Sequence, residues 1–163
     1  RFFTVYGPWG RPDMALFKFT KNILEDKEID VYNNGNHSRD FTYVDDIVEG
    51  IYLSSISKKE LIDSNFDSKD PSRSFCKSII FNLGRGKPEN LEDFIDEIEN
   101  NLGKRAKRNL MPLQPGDVPD TSADISGLKD FSGYEPKTSI KIGVKNFIDW
   151  YKEYYKVNLW KKF

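Results

Sequence analysis

The sequence predicts an α/β fold, because apolar runs of strand length are followed by segments with the apolar spacing of helices. The first run, residues 2–6, is an unbroken series of aromatic and β-branched side chains. Such a run is typical of a strand that is covered on both faces, as in a parallel sheet. A second apolar run of strand length, residues 78–83, ends at Gly84. The two runs indicate strands of one mainly parallel arrangement.

The first run stops at a loop, residues 7–10, that contains two glycines and a proline. In open α/β sheets the ligand crevice lies beyond the carboxyl ends of the strands, so this loop is a candidate binding site. Thr4 and Arg11 flank it with a hydroxyl group and a permanent positive charge. The pattern alone also allows a plain buried strand with a tight turn.

The chain begins with Arg1 directly at this strand, without a methionine or a capping segment. A buried strand needs neighbours, so we expect further sequence before Arg1 and interpret the chain as a fragment.

Length and charge limit the functions that this chain can have. Its 163 residues suffice for one domain with a core. Charged residues make up 31% of the chain but sum to a net charge of -1, which disfavours binding to nucleic acid or to an anionic membrane. There is no run of about 18 apolar residues, and we expect a cytoplasmic location.

The single cysteine and the single histidine indicate no disulfide, catalytic or metal-binding role. Cys76 has no second cysteine for an internal disulfide and is expected to be a bystander. His37 lies in the polar turn 33–38 and is expected to be solvated rather than a ligand or a base. Without a second histidine or a cysteine cluster, the sequence predicts no metal site.

The segment after the loop predicts a helix, two short strands and a second helix. Asp13 is expected to cap a helix that runs to about Asp26. Residues 28–32 and 39–44 alternate polar and apolar side chains, and they form either a hairpin or strands of separate small sheets. Asp45 and Asp46 are then expected to provide the acidic N-cap and first turn of the second helix.

The rest of the chain contains two more predicted helices of clear apolar periodicity. Asn90 is expected to cap a helix that ends at Gly103, and Thr138 to cap the last helix. Residues 106–112 predict a short edge strand, and 113–120 an ordered loop rich in proline. Residues 57–74 predict a surface insertion without its own core.

Five spaced motifs together resemble one family. They are residues 1–8 (Arg-Phe-Phe-Thr-Val-Tyr-Gly-Pro), 39–46 (Arg-Asp-Phe-Thr-Tyr-Val-Asp-Asp), 81–84 (Phe-Asn-Leu-Gly), 114–119 (Gln-Pro-Gly-Asp-Val-Pro) and 133–138 (Gly-Tyr-Glu-Pro-Lys-Thr). In this order they resemble the carboxyl-terminal half of an extended short-chain dehydrogenase/reductase, in the NAD-dependent epimerase/dehydratase family. Residues 9–14 (Trp-Gly-Arg-Pro-Asp-Met) are in addition similar to the UDP-glucuronate 4-epimerases of that family.

The resemblance implies a Rossmann domain that binds NAD, and a small mixed α/β part that binds the sugar nucleotide. It implies that residues 1–12 and 75–103 are late Rossmann elements, and that 13–56 and 104–163 mainly form the nucleotide-sugar-binding part. The glycine fingerprint and the catalytic Tyr-x-x-x-Lys pair of the family are absent from this sequence. No catalytic residue is therefore assigned in this chain, and the pair is expected upstream, as are the helices of a homodimer.

The resemblance also implies contacts at the reacting end of the substrate. Phe2 and Phe3 would lie by the nicotinamide of NAD, and Thr4 would hydrogen-bond the sugar. Arg11 is suited to the carboxylate or the diphosphate of a UDP-uronate.

Further implied contacts lie along the nucleotide. Arg39 matches the family arginine on the diphosphate, and Lys18 stands where some relatives carry arginine. Tyr32 falls at the uracil, with the backbone of Val31, Tyr32 and Asn33 available to read the base edge. Two residues of the proline-rich loop complete the set: Asp117 matches a carboxylate that accepts ribose hydroxyls, and Gln114 departs from the arginine of UDP-galactose epimerases.

The implied function is the conversion of UDP-glucuronate to UDP-galacturonate by transient oxidation at C4 with bound NAD. Two alternatives remain open at this point. One is a UDP-sugar decarboxylase or dehydratase of the same family, and the other is a noncatalytic UDP-sugar-binding module.

Overall fold

The computed structural model of the protein describes residues 1–58, 71–74 and 78–157. The strands in these ranges are β1 (Thr4–Tyr6), β2 (Glu28–Val31), β3 (Ser38–Arg39), β4 (Phe41–Tyr43), β5 (Arg73–Ser74), β6 (Ser78–Ile79), β7 (Glu89–Asn90) and β8 (Lys107–Leu110). The helices are α1 (Ala15–Leu24), α2 (Val44–Ile56), α3 (Leu91–Leu102), α4 (Ser126–Ser132) and α5 (Ile140–Tyr154). The predicted α/β fold is confirmed.

The first apolar run lies in a parallel arrangement, as predicted. β1 pairs in parallel with β4, and Phe2 forms a parallel bridge with Leu83. The N–H group of Phe3 donates to the carbonyl oxygen of Leu83 at 3.1 Å. The N–H group of Leu83 donates to the carbonyl oxygen of Arg1 at 2.7 Å. The two apolar runs of the sequence are therefore neighbours in space.

The two strands predicted around the turn at residues 33–36 lie in separate sheets and do not form a hairpin. β2 pairs in parallel with β8, the predicted edge strand, while β3 pairs with β7 in the antiparallel sense. A 3₁₀ turn, Tyr32–Gly35, leads away from β2, and Asn33 and Asn34 both adopt left-handed backbone angles with φ of 51°. Asparagine tolerates this conformation better than most residues, so the turn can redirect the chain.

The main hydrophobic core lies between α1, α3 and α5 and the strands β1, β2 and β4. Its most deeply buried members are Ile23, Ile29, Val31, Phe94, Ile95, Ile98, Val144, Phe147 and Ile148. Phe41 and Phe94 stack with ring centroids 4.1 Å apart. Each fully buried side chain of this size contributes about 1.5–3 kcal/mol to stability. The apolar periodicity that predicted the three helices thus corresponds to their buried faces.

The predicted aspartate N-caps are wrong at α1 and α2. α1 follows Met14 with no side-chain cap, because Asp13 pairs with Arg11 instead. α2 follows Tyr43, so neither Asp45 nor Asp46 is its N-cap, although both lie in its first turn as predicted.

The other helix ends are closer to expectation. Asn90 precedes α3 but makes no side-chain cap bond, and Gly103 ends it in the predicted left-handed conformation with φ of 65°. The cap of α5 is Ser139, one residue after the predicted Thr138, and its hydroxyl oxygen accepts from the N–H group of Ile142.

Some predictions fall on parts of the chain that the structure does not describe. Residues 59–70 of the predicted insertion and Cys76 lie outside the described ranges. The division into Rossmann and nucleotide-sugar-binding parts stays a prediction. Within the described ranges, none of the helices has the length and apolar character needed to cross a membrane.

Candidate functional site

A cleft at the carboxyl end of β1 forms the first part of the candidate site. It has a volume of about 590 Å³. Phe2, Phe3, Thr4 and Arg11, which the sequence predicted near the reacting end of a substrate, all line this cleft. The ring of Phe2 is well exposed, with 61% of the residue accessible to solvent. The structure thus brings these four predicted residues together around one space.

The loop at residues 7–10 has a defined shape that borders the cleft. The N–H group of Gly10 donates to the carbonyl oxygen of Gly7 at 3.1 Å. Trp9 adopts a left-handed backbone angle, φ of 62°, that is rare for a bulky residue. Its ring packs on Trp150 and Tyr154 of α5, with centroid distances of 5.2 and 4.9 Å. Packing against α5 therefore holds the loop in a backbone conformation that costs energy.

Arg11 is engaged by a neighbour at the rim of the cleft. Its guanidinium forms two bonds to the carboxylate of Asp13, one of them from Nε at 3.0 Å. The same hydrogen bonding lowers the pKa of the Asp13 carboxyl group. Arg11 is nevertheless exposed, so a ligand can reach it.

Lys18 and Tyr32 line a second, smaller pocket of about 220 Å³. Asp13 also lines this pocket, so the Arg11–Asp13 pair connects it to the cleft at β1. The sequence placed Lys18 and Tyr32 along a nucleotide, and the structure brings them into one pocket.

The backbone beside Tyr32 is already partly hydrogen-bonded. The side chain of Val31 is fully buried, and its carbonyl oxygen accepts from the N–H group of Met111 at 2.9 Å. The side-chain amide of Asn33 donates to the carbonyl oxygen of Asn36 at 2.7 Å. These bonds fix the turn that follows β2. The side chain of Val31 cannot contact a ligand in this arrangement.

Arg39 and Asp117 form the third part of the candidate site. Nη1 of Arg39 donates to the carbonyl oxygens of Ser38 at 3.0 Å and Pro119 at 2.7 Å, and Nη2 donates to Oδ1 of Asp117 at 2.9 Å. Only 18% of the Arg39 side chain is exposed. Two predicted residues that are far apart in the sequence are therefore in direct contact.

The loop that carries Asp117 is shaped by its own backbone. The N–H group of Asp117 donates to the carbonyl oxygen of Gln114 at 3.1 Å, and that of Val118 donates to Oδ1 of Asp117 at 2.9 Å. The side chain of Gln114 is exposed and contributes to this turn through its backbone.

His37 is buried, so the prediction of a solvated histidine is wrong. It is 6% exposed, and its Nε2 atom lies 3.8 Å from Oδ2 of Asp117. The N–H group of Leu91, at the start of α3, donates to the carbonyl oxygen of His37 at 2.9 Å. The polar turn is therefore packed against a helix that is distant in sequence, which the local composition could not indicate.

Asp40 organises the loops around the site and was missed as a functional candidate. It is fully buried, and its carboxylate accepts from the hydroxyl group of Thr42 and from the N–H groups of Arg85, Gly86 and Ala123, at 2.6 to 3.0 Å. The only signal in the sequence was its place beside Arg39 in the motif at residues 39–46. One carboxylate thus fixes three segments of the chain.

Comparisons with known proteins agree with this architecture. Residues 1–63 match the model of the NAD dependent epimerase/dehydratase family. The chain is similar to the crystal structure of UDP-glucuronic acid 4-epimerase from Bacillus cereus in complex with UDP-glucuronic acid and NAD, with a TM-score of 0.79 and 33% identity. The match covers 95% of this chain and 45% of that one. The chain therefore has the α/β fold of part of a Rossmann-type epimerase, and its first 63 residues are similar to this family.

Two further relatives make the similarity more specific. Protein CapI of Staphylococcus aureus is 54% identical over 96% of this chain and 47% of its own length. UDP-glucuronate 4-epimerase 2 of Arabidopsis thaliana is 44% identical over 96% of this chain and 36% of its own length. The chain thus spans about half the length, or less, of these relatives. The family resemblance drawn from the motifs is confirmed.

Proposed function

We propose that this chain forms the UDP-sugar-binding part of a UDP-glucuronate 4-epimerase, which converts UDP-glucuronate to UDP-galacturonate by transient oxidation at C4 with NAD. The observation that carries the proposal is the contact between Arg39 and Asp117. The family resemblance implies that these two residues contact adjacent groups of one ligand, the diphosphate and the ribose. Nη2 of Arg39 lies 2.9 Å from Oδ1 of Asp117, although the two residues are 78 positions apart in the sequence.

The nucleotide contacts follow from the chemistry of each side chain. Arg39 keeps N–H donors beyond the three bonds that hold it, and a guanidinium is well suited to the oxygens of a diphosphate. Asp117 retains Oδ2 as an acceptor for ribose hydroxyl groups. Tyr32 supplies a ring in the small pocket for the uracil, and Lys18 supplies a point charge there.

The cleft at β1 would receive the sugar. Its volume lies within the range of about 300–1,000 Å³ that small-molecule sites have. Thr4 would hydrogen-bond the sugar, and Arg11 would pair with the carboxylate of a uronate. A neutral sugar would leave Arg11 paired only with Asp13.

The residues of this chain fit one end of NAD. The exposed ring of Phe2, and Phe3 beside it, provide an apolar wall of the cleft next to Thr4, where a nicotinamide ring could lie. The sequence contains no Gly-x-x-Gly-x-x-Gly and no Tyr-x-x-x-Lys, so the diphosphate of NAD and the general base need other groups. Bound NAD supplies reversible hydride transfer at C4. The role of this chain is to bind and orient the sugar and to exclude water.

The test is to incubate the intact protein that carries this chain with NAD and UDP-glucuronate. NMR or anion-exchange chromatography should show UDP-galacturonate and UDP-glucuronate approaching an equilibrium mixture. Loss of the C5 carboxylate as CO₂ would instead identify a decarboxylase of the same family. UDP binding without any turnover would support a noncatalytic binding module and contradict the epimerase proposal.

A further inference from the structure

His37 is a buried side chain with unused hydrogen-bonding capacity. Its imidazole ring is 5% exposed, and neither ring nitrogen has a hydrogen-bond partner among the described residues. Buried polar groups are nearly always paired, because an unpaired one is destabilising. The family motifs assign no role to this residue.

The carboxylate of Asp117 lies between Arg39 and His37. Oδ1 accepts hydrogen bonds from Nη2 of Arg39 and from the N–H group of Val118, both at 2.9 Å. Oδ2 lies 3.8 Å from Nε2 of His37, which is just beyond hydrogen-bond distance. A shift of roughly 1 Å by either side chain would bring these two atoms to a normal hydrogen-bond distance.

A bound diphosphate changes the electrostatic surroundings of Asp117. The negative charge of the diphosphate would compete with Asp117 for the guanidinium of Arg39 and would repel the Asp117 carboxylate. Asp117 then needs a donor on its opposite side to keep its orientation. His37 is the side chain placed there.

We propose that His37 is a positioning residue for Asp117. When a nucleoside diphosphate engages Arg39, Nε2–H of His37 donates to one lone pair of Oδ2 of Asp117 and keeps the other lone pair directed at a ribose hydroxyl group. His37 itself contacts no ligand. This inference rests on the proposed function, because it takes Arg39 and Asp117 as contacts of the nucleotide.

The test is a double-mutant cycle on UDP binding, measured by titration calorimetry with the intact protein. His37→Leu keeps an apolar side chain in the space but removes the donor, and it should weaken UDP binding about fivefold to tenfold. His37→Gln can place an amide N–H group near the position of Nε2 and should stay within about twofold of the parent. In the Asp117→Asn background, His37→Leu should have almost no further effect on the dissociation constant.

The outcomes separate this inference from the proposed function. Equal weakening by His37→Leu in both backgrounds would assign His37 a purely structural role and overturn the inference. Unchanged UDP affinity in His37→Leu would also overturn it, while the parent's binding of UDP would leave the proposed function intact. A parent protein that does not bind UDP would overturn both.

A second pair of variants covers the case in which His37→Leu does not fold. His37→Asn keeps a polar side chain but is too short to present a donor at the position of Nε2. It should bind UDP more weakly than His37→Gln at similar thermal stability. Equal affinities of these two variants would refute the positioning role.

Discussion

Arg39 is held in place before any ligand arrives, since its guanidinium donates one hydrogen bond to the carbonyl oxygen of Ser38 and two to the loop of Asp117 and Pro119. Such preorganisation lowers the entropy lost on binding. Arg39→Ala in the intact protein should therefore weaken UDP binding by about 2 kcal/mol, the scale of a hydrogen bond to a charged group. Titration calorimetry with UDP measures this separately from catalysis. Arg39→Lys should recover part of the affinity, because it restores the charge but not the forked geometry.

The matched control for Arg39 is Lys129→Ala, which removes an exposed cation that also pairs with a carboxylate, that of Glu135. It should leave UDP affinity unchanged. An Arg39→Ala protein that binds UDP as tightly as the parent would leave Arg39 with a structural role only.

Arg11 should determine the preference for a uronate. Arg11→Ala should lower kcat/KM for UDP-glucuronate much more than for UDP-glucose, because only the first substrate carries a carboxylate for the guanidinium. Steady-state kinetics of the intact enzyme on both substrates test this. A parallel fall on both substrates would argue that Arg11 contacts the diphosphate or merely supports the loop.

Asp40 should matter for stability more than any exposed carboxylate. Asp40→Asn would turn an amide NH₂ group toward backbone N–H donors and leave some of them unpaired. Since breaking buried interactions of a charged group is strongly destabilising, we expect a loss of about 3 kcal/mol or more. Urea unfolding measures the difference, with Asp45→Asn as the exposed control. Similar midpoints for the two variants would disprove the organising role of Asp40.

Individual residues differ in how far the sequence could predict their place. Arg39 and Asp117 were identified together because both sit in motifs with a recognisable context. The burial of His37 and the bonds of Asp40 were not predicted, although Asp40 shares a motif with Arg39, because their environments are built by segments distant in sequence. The surroundings of Asp40 come from residues 85, 86 and 123, and those of His37 from the start of α3 and the loop of Asp117. Local composition carries no information on such contacts.

At the level of elements, α5 is packed so closely on β1 that one of its positions must be glycine. A β-carbon at Gly143 would lie 2.7 Å from Cζ of Tyr6, a buried ring. Although alanine favours helices, Gly143→Ala should destabilise the protein by about 1–3 kcal/mol through overpacking. Gly127→Ala in α4 is the control, because the nearest atom there is at 3.6 Å. Chemical denaturation should give Gly143→Ala a lower free energy of unfolding than both the parent and the control. The reverse order would contradict the packing described.

Glu99 links the end of α3 to the start of β8. Burial alone would raise the pKa of this carboxyl group, but hydrogen bonds from the N–H group of Ala106 and from Arg105 and Arg108 more than offset burial, so the pKa is lowered. A carboxyl group with a lowered pKa in the folded state stabilises the protein above its unfolded pKa, about 4.3 for glutamate, and this contribution is lost as pH falls through the folded pKa. Stability should therefore decrease below about pH 5.

The variant that isolates this effect is Glu99→Gln. Its free energy of unfolding, measured in urea between neutral and acidic pH, should depend less steeply on pH than that of the parent. Identical pH profiles would mean that other carboxylates account for the acid sensitivity.

Helices and their ends were predictable where the sequence signal is local. The predictions failed where a side chain binds a distant partner instead of its own helix. The buried faces of α1, α3 and α5 follow directly from apolar spacing, and Gly103 ends α3 as its conformational freedom suggests. Asp13 before α1 and Asp46 in the first turn of α2 instead bind groups outside their own helices. Asp46 is buried and accepts from the N–H groups of Lys137 and Thr138, so it serves the turn before α5 instead of its own helix. Capping preferences describe exposed helix ends and not carboxylates with distant partners.

For the whole molecule, we expect residues 1–163 to supply UDP-sugar binding but not catalysis. Residues 1–163 alone, with NAD added, should not convert UDP-glucuronate, because the sequence holds neither the glycine fingerprint nor the Tyr-x-x-x-Lys pair. Product analysis of the purified chain tests this, with cooperative thermal unfolding as evidence that the preparation is folded. Any formation of UDP-galacturonate would show that residues within this chain suffice for the chemistry.

Arg39 and Asp40 are adjacent in the chain, yet one side chain faces the candidate ligand site and the other the interior. Extended chain alternates its side chains, so insertion or deletion of a single residue within the segment 38–43 would exchange the two environments. A guanidinium would then enter the space of a buried carboxylate, and Asp117 would lose the cation beside it. The length of the segment 38–43 is thus constrained as strongly as its sequence, and variation among homologues in this segment should consist of substitutions rather than changes of length.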